Sequence, residues 1–164
     1  MAKKITYSDK PWLKNYEELW LPKTLRPYPE VPLFEFLDES ARKYPNSMAC
    51  VYLGSKMTYR ELKLQVDKLA TALADLGVKK GDRVATILPN SPQFVISDYA
   101  ILKAGAVNIP CSLLHKAPDL ENEIRQSGAE TIICLNTSLD LVNSIKDNTK
   151  LKNIIITSLE DYSR

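Results

Sequence analysis

Val84-Ala-Thr-Ile-Leu-Pro-Asn-Ser-Pro-Gln-Phe-Val-Ile-Ser-Asp-Tyr-Ala-Ile-Leu-Lys-Ala-Gly-Ala-Val-Asn-Ile-Pro-Cys111 decides the fold. Its first five residues form a nearly continuous apolar run, as expected of a strand covered on both faces. Pro89 ends the run, Asn90 or Ser91 can cap a helix reaching Ala104, and Gly105 stops that helix. Residues 107–111 then form a second apolar strand. Strand, helix and strand in this order make a right-handed crossover, which sets the two strands parallel.

The same unit recurs downstream. A helix over residues 118–126, stopped by Gly128, leads to a strand at 131–135. A further helix near 138–146 leads to a strand at 153–157. Upstream, Thr58 and Glu61 have the spacing of a capping box, in which each satisfies an otherwise orphaned backbone donor. Tyr59, Leu62, Val66, Leu69, Leu73 and Leu76 then give one apolar stripe, and Gly77 stands where a left-handed cap belongs. Residues 49–53 read as a strand, with Gly54-Ser55 turning into Lys56-Met57-Thr58. Leu33, Leu37, Ala41 and Tyr44 mark an earlier helix, opened by Pro32 and stopped by Tyr44-Pro45-Asn46. The expected fold class is α/β: a parallel, doubly wound sheet with helices on both faces.

Residues 1–31 have a different character. They hold Trp12 and Trp20, and half of the ten prolines lie between Pro11 and Pro32. Trp12, Tyr16, Leu19 and Trp20 are spaced to share one face of a short helix. Its polar side, with Lys14, Glu17 and Glu18, is not the basic face of a membrane-surface helix. The segment reads as an N-terminal arm laid over its own protein or a partner subunit, with residues 32–164 as the α/β subdomain.

Composition narrows the function classes. At 164 residues, 45% of them hydrophobic, the chain suits one domain with a real core. A net charge of +2 is too balanced to indicate nucleic acid or an anionic membrane as partner. No apolar run approaches the roughly 20 residues of a transmembrane helix, and Met1-Ala-Lys-Lys-Ile is not a secretory signal. The expected location is the cytoplasm. Cys50, Cys111 and Cys134 each lie in an apolar, strand-like run and form no CxxC pair. They read as core residues and not as zinc ligands or a disulfide framework.

The residues give no active site. Doubly wound sheets bind phosphates on glycine-rich turns beyond the strands' carboxyl ends. Here those turns are Leu88-Pro-Asn-Ser-Pro92 and the loop after Cys111, neither glycine-rich. Gly77-Val-Lys-Lys-Gly-Asp82 has a phosphate-loop look, but it precedes a strand where a phosphate loop follows one. A helix stop and turn with solvated lysines accounts for it. Ser112 and His115, the one histidine, form a conceivable pair without the orienting acid or oxyanion hole of a triad. An ordinary loop histidine is the better reading. Asp38 and Glu39, and Asp119, Glu121 and Glu123, fall on helix surfaces at spacings that do not face one another. Asp98 stands out in an otherwise apolar helix, and a rim position or a satisfied hydrogen bond explains it better than catalysis. No catalytic, cofactor-binding or metal residue is assigned.

Several motifs nevertheless form an ordered set. Met57-Thr-Tyr-Arg-Glu-Leu62, Gly77-Val-Lys-Lys-Gly-Asp-Arg-Val84, Leu88-Pro-Asn-Ser-Pro92, Leu102-Lys-Ala-Gly-Ala-Val107 with Pro110, and Gln126-Ser-Gly-Ala129 resemble successive stretches of the acyl-adenylate-forming superfamily. The flanks Pro11-Trp-Leu-Lys-Asn-Tyr16, Leu33-Phe-Glu-Phe-Leu-Asp-Glu-Ser40 and Leu151-Lys-Asn-Ile-Ile-Ile-Thr157 look like the long-chain fatty-acid–CoA ligases. Where those ligases usually have Asn-Pro, this chain has Ser112-Leu113.

The resemblance implies an enzyme that activates a carboxylate with ATP and Mg²⁺ and passes the acyl group to coenzyme A. Such chemistry needs a phosphate cradle, a metal and positioned cations. The family's motifs for these do not occur here, so the resemblance implies an N-terminal portion inactive alone. Its implied partners are fatty acid and CoA in the complete enzyme. It also implies an exposed sheet face that, like the arm, could support a homodimer or other self-association. The competing reading is a self-sufficient binding or interaction module on the same fold.

Overall fold

The structure, a computed structural model, describes residues 9–163. Backbone contacts divide the chain into residues 1–31 and 32–164. Among the described residues of the first unit one α-helix, α1 (Leu13–Glu18), forms. It is shorter than the aromatic spacing predicts. Only Tyr16 of the four residues lies within it, Trp12 precedes it, and Leu19 and Trp20 follow. Trp20 N–H donates to Glu17 O (3.2 Å) and Leu21 N–H to Tyr16 O (2.9 Å). These bonds make a Schellman-type stop with Trp20 at the left-handed position usually held by glycine (φ 54°). The stop turns Trp20 off the helical face, and the residue is 94% exposed.

The second unit opens with α2 (Leu33–Lys43), then a hairpin of β1 (Met48–Tyr52) and β2 (Ser55–Thr58). Tyr52 pairs with Ser55 across a two-residue turn in which Leu53 (φ 43°) and Gly54 (φ 83°) are both left-handed, a twist that matches the strands. Helix α3 (Tyr59–Asp75) starts on the predicted capping box: Glu61 N–H donates to Thr58 Oγ1, and Thr58 N–H donates to Glu61 Oε2 at 2.8 Å. Leu62, Val66 and Leu73 of its stripe are buried, whereas Leu76 at the last turn is exposed.

Strand β3 (Arg83–Ile87), α4 (Pro92–Lys103), β4 (Val107–Pro110), α5 (Ala117–Ser127), β5 (Thr131–Leu135), α6 (Leu139–Lys146) and β6 (Asn153–Thr157) follow. The four strands pair in parallel in the order β4-β3-β5-β6. Alternation along the strands sorts the core into two clusters. Val84 and Leu88, with Ile133 and Leu135, pack against α2, α3 and α4 through Leu37, Val66 and Ile101. Ala85, Ile87, Ile132 and Cys134 pack on the other side against α5 and α6 through Leu120, Ile124 and Val142. Helices therefore cover both faces, as the apolar runs required. The chain changes face after β4, which places the topological switch between β3 and β5.

Candidate functional site

In a sheet of this topology the crevice lies beyond the carboxyl ends of the strands flanking the switch. Here those ends lead into the turn from Leu88 to Ser91 and into the short 3₁₀ turn Asn136–Ser138. The β3–α4 turn faces β1 across an open cleft of about 510 Å³, bordered by Cys50, Tyr52, Asn90, Ser91 and Phe94 among others. Among the described residues no lysine, arginine or carboxylate borders this cleft.

The helix end that enters the cleft is poorly equipped for an anion. Pro92 supplies no N–H, and Phe94 N–H is already held by Ser91 Oγ (3.4 Å) and Ser91 O (3.1 Å). A phosphate needs several free, convergent backbone donors. The glycines lie elsewhere. Gly77 and Gly81 turn the chain before β3 and Gly128 stops α5, all with positive φ. At that amino end of the sheet a cavity of about 230 Å³ is bordered by both signs of charge, including Asp82, Arg83, Glu130 and Lys152. Among the described residues no group of three His, Cys, Asp or Glu could hold a metal ion. The described residues at these two openings therefore do not fit ATP or Mg²⁺.

The nucleophile candidates are quiet. Burial, reinforced by the Glu123 carboxylate, pushes the Cys111 thiol up to about 12. Burial alone pushes Cys134 up to about 11, and it raises Cys50 as well. A thiol held protonated is neither nucleophile nor metal ligand. His115 Nδ1 sits 3.0 Å from Glu123 Oε2, and both atoms are buried. Ser112 Oγ instead accepts from Leu114 N–H (3.2 Å). The pair formed is thus histidine with a helix glutamate, which ties the β4–α5 loop onto α5, and not serine with histidine.

The remaining carboxylates are also occupied. Asp98 Oδ1 accepts from Asn108 Nδ2 (2.8 Å), and Asn108 Oδ1 accepts from the buried Thr86 hydroxyl (3.0 Å). This chain pins α4 to β3 and β4. Asp38 is not a simply solvated surface acid. Lys103 Nζ lies 2.8 Å from it and 2.7 Å from Asp67, and Lys63 joins the cluster, so α2, α3 and α4 share one set of charges.

Comparison with known proteins gives this scaffold its family. The sequence pattern described as AMP-binding enzyme matches residues 37–163. The chain belongs to the AMP-binding enzyme family. A long-chain-fatty-acid–CoA ligase of Bacillus subtilis is 36% identical over 155 residues, which cover 94% of this chain and 27% of the ligase. The anthranilate CoA ligase AuaEII, solved with anthranoyl-AMP, superposes with a TM-score of 0.75 at 26% identity, over 80% of this chain and 27% of that one. The N-terminal domain of FACL13 from Mycobacterium tuberculosis, solved with an inhibitor, superposes with a TM-score of 0.72 at 28% identity, over 80% and 35%. The chain spans about a quarter of the length of the curated ligase it matches, and corresponds to the N-terminal part of such enzymes.

The AMP-binding motifs in this chain have internal, structural work. Thr58 and Glu61 satisfy each other and the start of α3. A Cβ at Gly105 would stand 3.3 Å from Lys80 Cβ, so the α4–β4 turn and the turn before β3 approach closely. Arg83 Nε donates to Ser127 O (2.9 Å) and Nη2 to Gly128 O (3.1 Å). That contact joins two motif stretches some 45 residues apart: the start of β3 holds the carbonyl end of α5, where a cation is favoured. Sequence spacing could not reveal the Arg83, Lys103 or His115 contacts, because each is made across elements.

Proposed function

We propose that this chain is the N-terminal portion of a fatty-acid–CoA ligase, an acid–thiol ligase that converts a carboxylic acid and ATP into an acyl-adenylate and then forms a thioester with CoA. The observation that carries this is the ligase match, 36% identical across 94% of the chain but only 27% of the relative. ATP, Mg²⁺ and CoA are the cofactors and co-substrates of the complete enzyme, and a fatty acid is its substrate. Alone, the chain is inactive on this reading. Adenylation spreads charge over phosphate oxygens and needs converging cations or backbone donors, and the described residues converge none on the crevice.

Three unpaired thiols and the ATP-dependent chemistry go with a cytoplasmic location. Among the described residues no helix is long and apolar enough to cross a membrane. Self-association is expected through the arm or an exposed part of the sheet. ATP–pyrophosphate exchange on the purified chain, with Mg²⁺ and fatty acids of graded length, tests the inactivity: exchange above background would overturn it. Sequencing downstream of Arg164 tests the parent enzyme, for which a Ser/Thr/Gly-rich segment ending in Pro-Lys-Gly is expected.

A further inference from the structure

The hairpin of β1 and β2 is a sheet of two strands, so β1 keeps one edge without a partner strand. Tyr52 faces Ser55 across the tight turn, and in such a hairpin that pair exchanges two hydrogen bonds. Bonded and unbonded pairs then alternate, so Tyr52 and Cys50 bond to β2 while Val51 N–H and C=O point away from it. Among the described residues neither Val51 group finds a backbone partner elsewhere, and the residue is 66% exposed. The open cleft of about 510 Å³ between β1 and the β3–α4 turn is bordered by Ala49, Cys50, Val51 and Tyr52 in succession. Neighbouring strand residues point to opposite faces, so a cavity that touches four in a row runs along the strand's edge.

We propose that this cleft takes an extended, uncharged segment of a partner protein, which adds to β1 as a third strand of the hairpin sheet. An open N–H and C=O on one exposed strand residue is what a passing peptide backbone satisfies. The walls choose the side chains. Cys50 pairs with Met57 on the hairpin face that packs on the core beside Phe94, whereas Val51 pairs with Lys56 on the outer, exposed face. A fitting segment therefore alternates apolar residues inward with hydroxyl residues outward. A charge at an inward position would meet no opposite charge, because among the described residues none borders the cleft. Size decides between a lone segment and a second copy of this chain. Four residues of strand are about 14 Å long, so the cleft leaves a cross-section of roughly 36 Å² along them. One strand in a packed sheet takes about 4.8 by 10 Å. The cleft seats one strand, partly outside its opening, and a folded second copy offers β1 only with β2 beside it. The inference does not rest on the ligase reading.

The test titrates the ¹⁵N-labelled chain with the peptide acetyl-Thr-Val-Thr-Val-Thr-amide. Two controls are the same peptide N-methylated at its three central residues, and acetyl-Thr-Glu-Thr-Lys-Thr-amide. Expected are saturable shifts at Val51, Tyr52, Ser91 and Phe94, and slower alkylation of Cys50, which lines the cleft. The N-methylated peptide, which keeps the side chains but loses its backbone donors, and the charged peptide should each bind at least about tenfold more weakly. Val51→Pro removes the outward donor from an edge that tolerates proline and should weaken binding roughly fivefold. Cross-strand nuclear Overhauser contacts between Cys50 and Met57 show whether the hairpin is kept in that variant. Absence of saturable binding to the unaltered chain overturns the proposal, as does equal binding of either control peptide. Unchanged affinity in a Val51→Pro chain that keeps its hairpin overturns it too. Shifts at the same residues on concentrating the chain alone, with no effect of the peptide, would place a second copy in the cleft and would also overturn it.

Discussion

Cys111 sits at the end of β4, with its thiol facing Glu123 and closed off by packing, and Cys134 lies wholly within β5. Both are held protonated well above neutral pH, whereas Cys50 belongs to the hairpin and is only half-buried. Iodoacetamide at pH 8 should therefore alkylate Cys50 first in the native chain. Cys111 and Cys134 should be modified only after unfolding, a sequence that peptide mass spectrometry reads directly. Rapid native labelling of Cys111 would show that the β4 end opens. At this scale much was legible from type and neighbours alone: buried thiols, the Thr58 and Glu61 cap, the satisfied Asp98. Gln93 was not legible. Inside an apolar helix it draws less notice than a charge, and its unpaired oxygen exists only because Ser158 takes the amide's other end.

Helices α2, α3 and α4 are tied by Lys103, Asp38, Asp67 and Lys63, with Lys103 also 5.7 Å from the Phe34 ring centre. Partial burial works to raise the Asp67 carboxyl, but the hydrogen bonds from Lys103 and Lys63 outweigh it and hold the group below its ordinary value. A carboxyl depressed in the folded state contributes fully above its unfolded pKa of about 4, and that contribution is lost as pH falls through the folded value. Lys103→Met should thus cost about 1 kcal/mol at neutral pH, a figure already reduced for solvent screening. Denaturant titrations should show the deficit shrinking as pH drops below about 4. A deficit independent of pH would mean that packing of the lysine stem, and not charge, is what the substitution removes. The helices themselves were readable from periodicity and caps. Their cross-ties were not, because Asp38 and Lys103 are 65 positions apart. The N-terminal helix shows the opposite failure: periodicity promised four aromatic and aliphatic residues on one face, and a left-handed Trp20 ended the helix early.

Across the whole sheet the two edges are unlike. Strand β4 ends in Pro110, which blunts an edge, whereas β6 is Asn-Ile-Ile-Ile-Thr with no charge and with Ile156 48% exposed. Ile156→Lys should reduce concentration-dependent association in sedimentation velocity while moving stability by no more than about 0.5 kcal/mol. Unchanged association would shift attention to the arm. The strand–helix alternation made this architecture readable, since each apolar run needs cover on both sides. The motifs that place the chain in its family describe how it folds, so they could not disclose a reaction.

The separation of the core into two clusters has a further consequence. Four parallel strands stand between Ile101 and Ile124 like a bulkhead, and a void opened on one side has no shared neighbour on the other. Ile101→Val and Ile124→Val should each cost about 1 kcal/mol, and the double variant should match their sum within about 0.5 kcal/mol. Leu73→Ala combined with Ile101→Val, on one side, should depart from the sum. Damage in this protein would then be compartmented: each hold can flood without drawing water from the other.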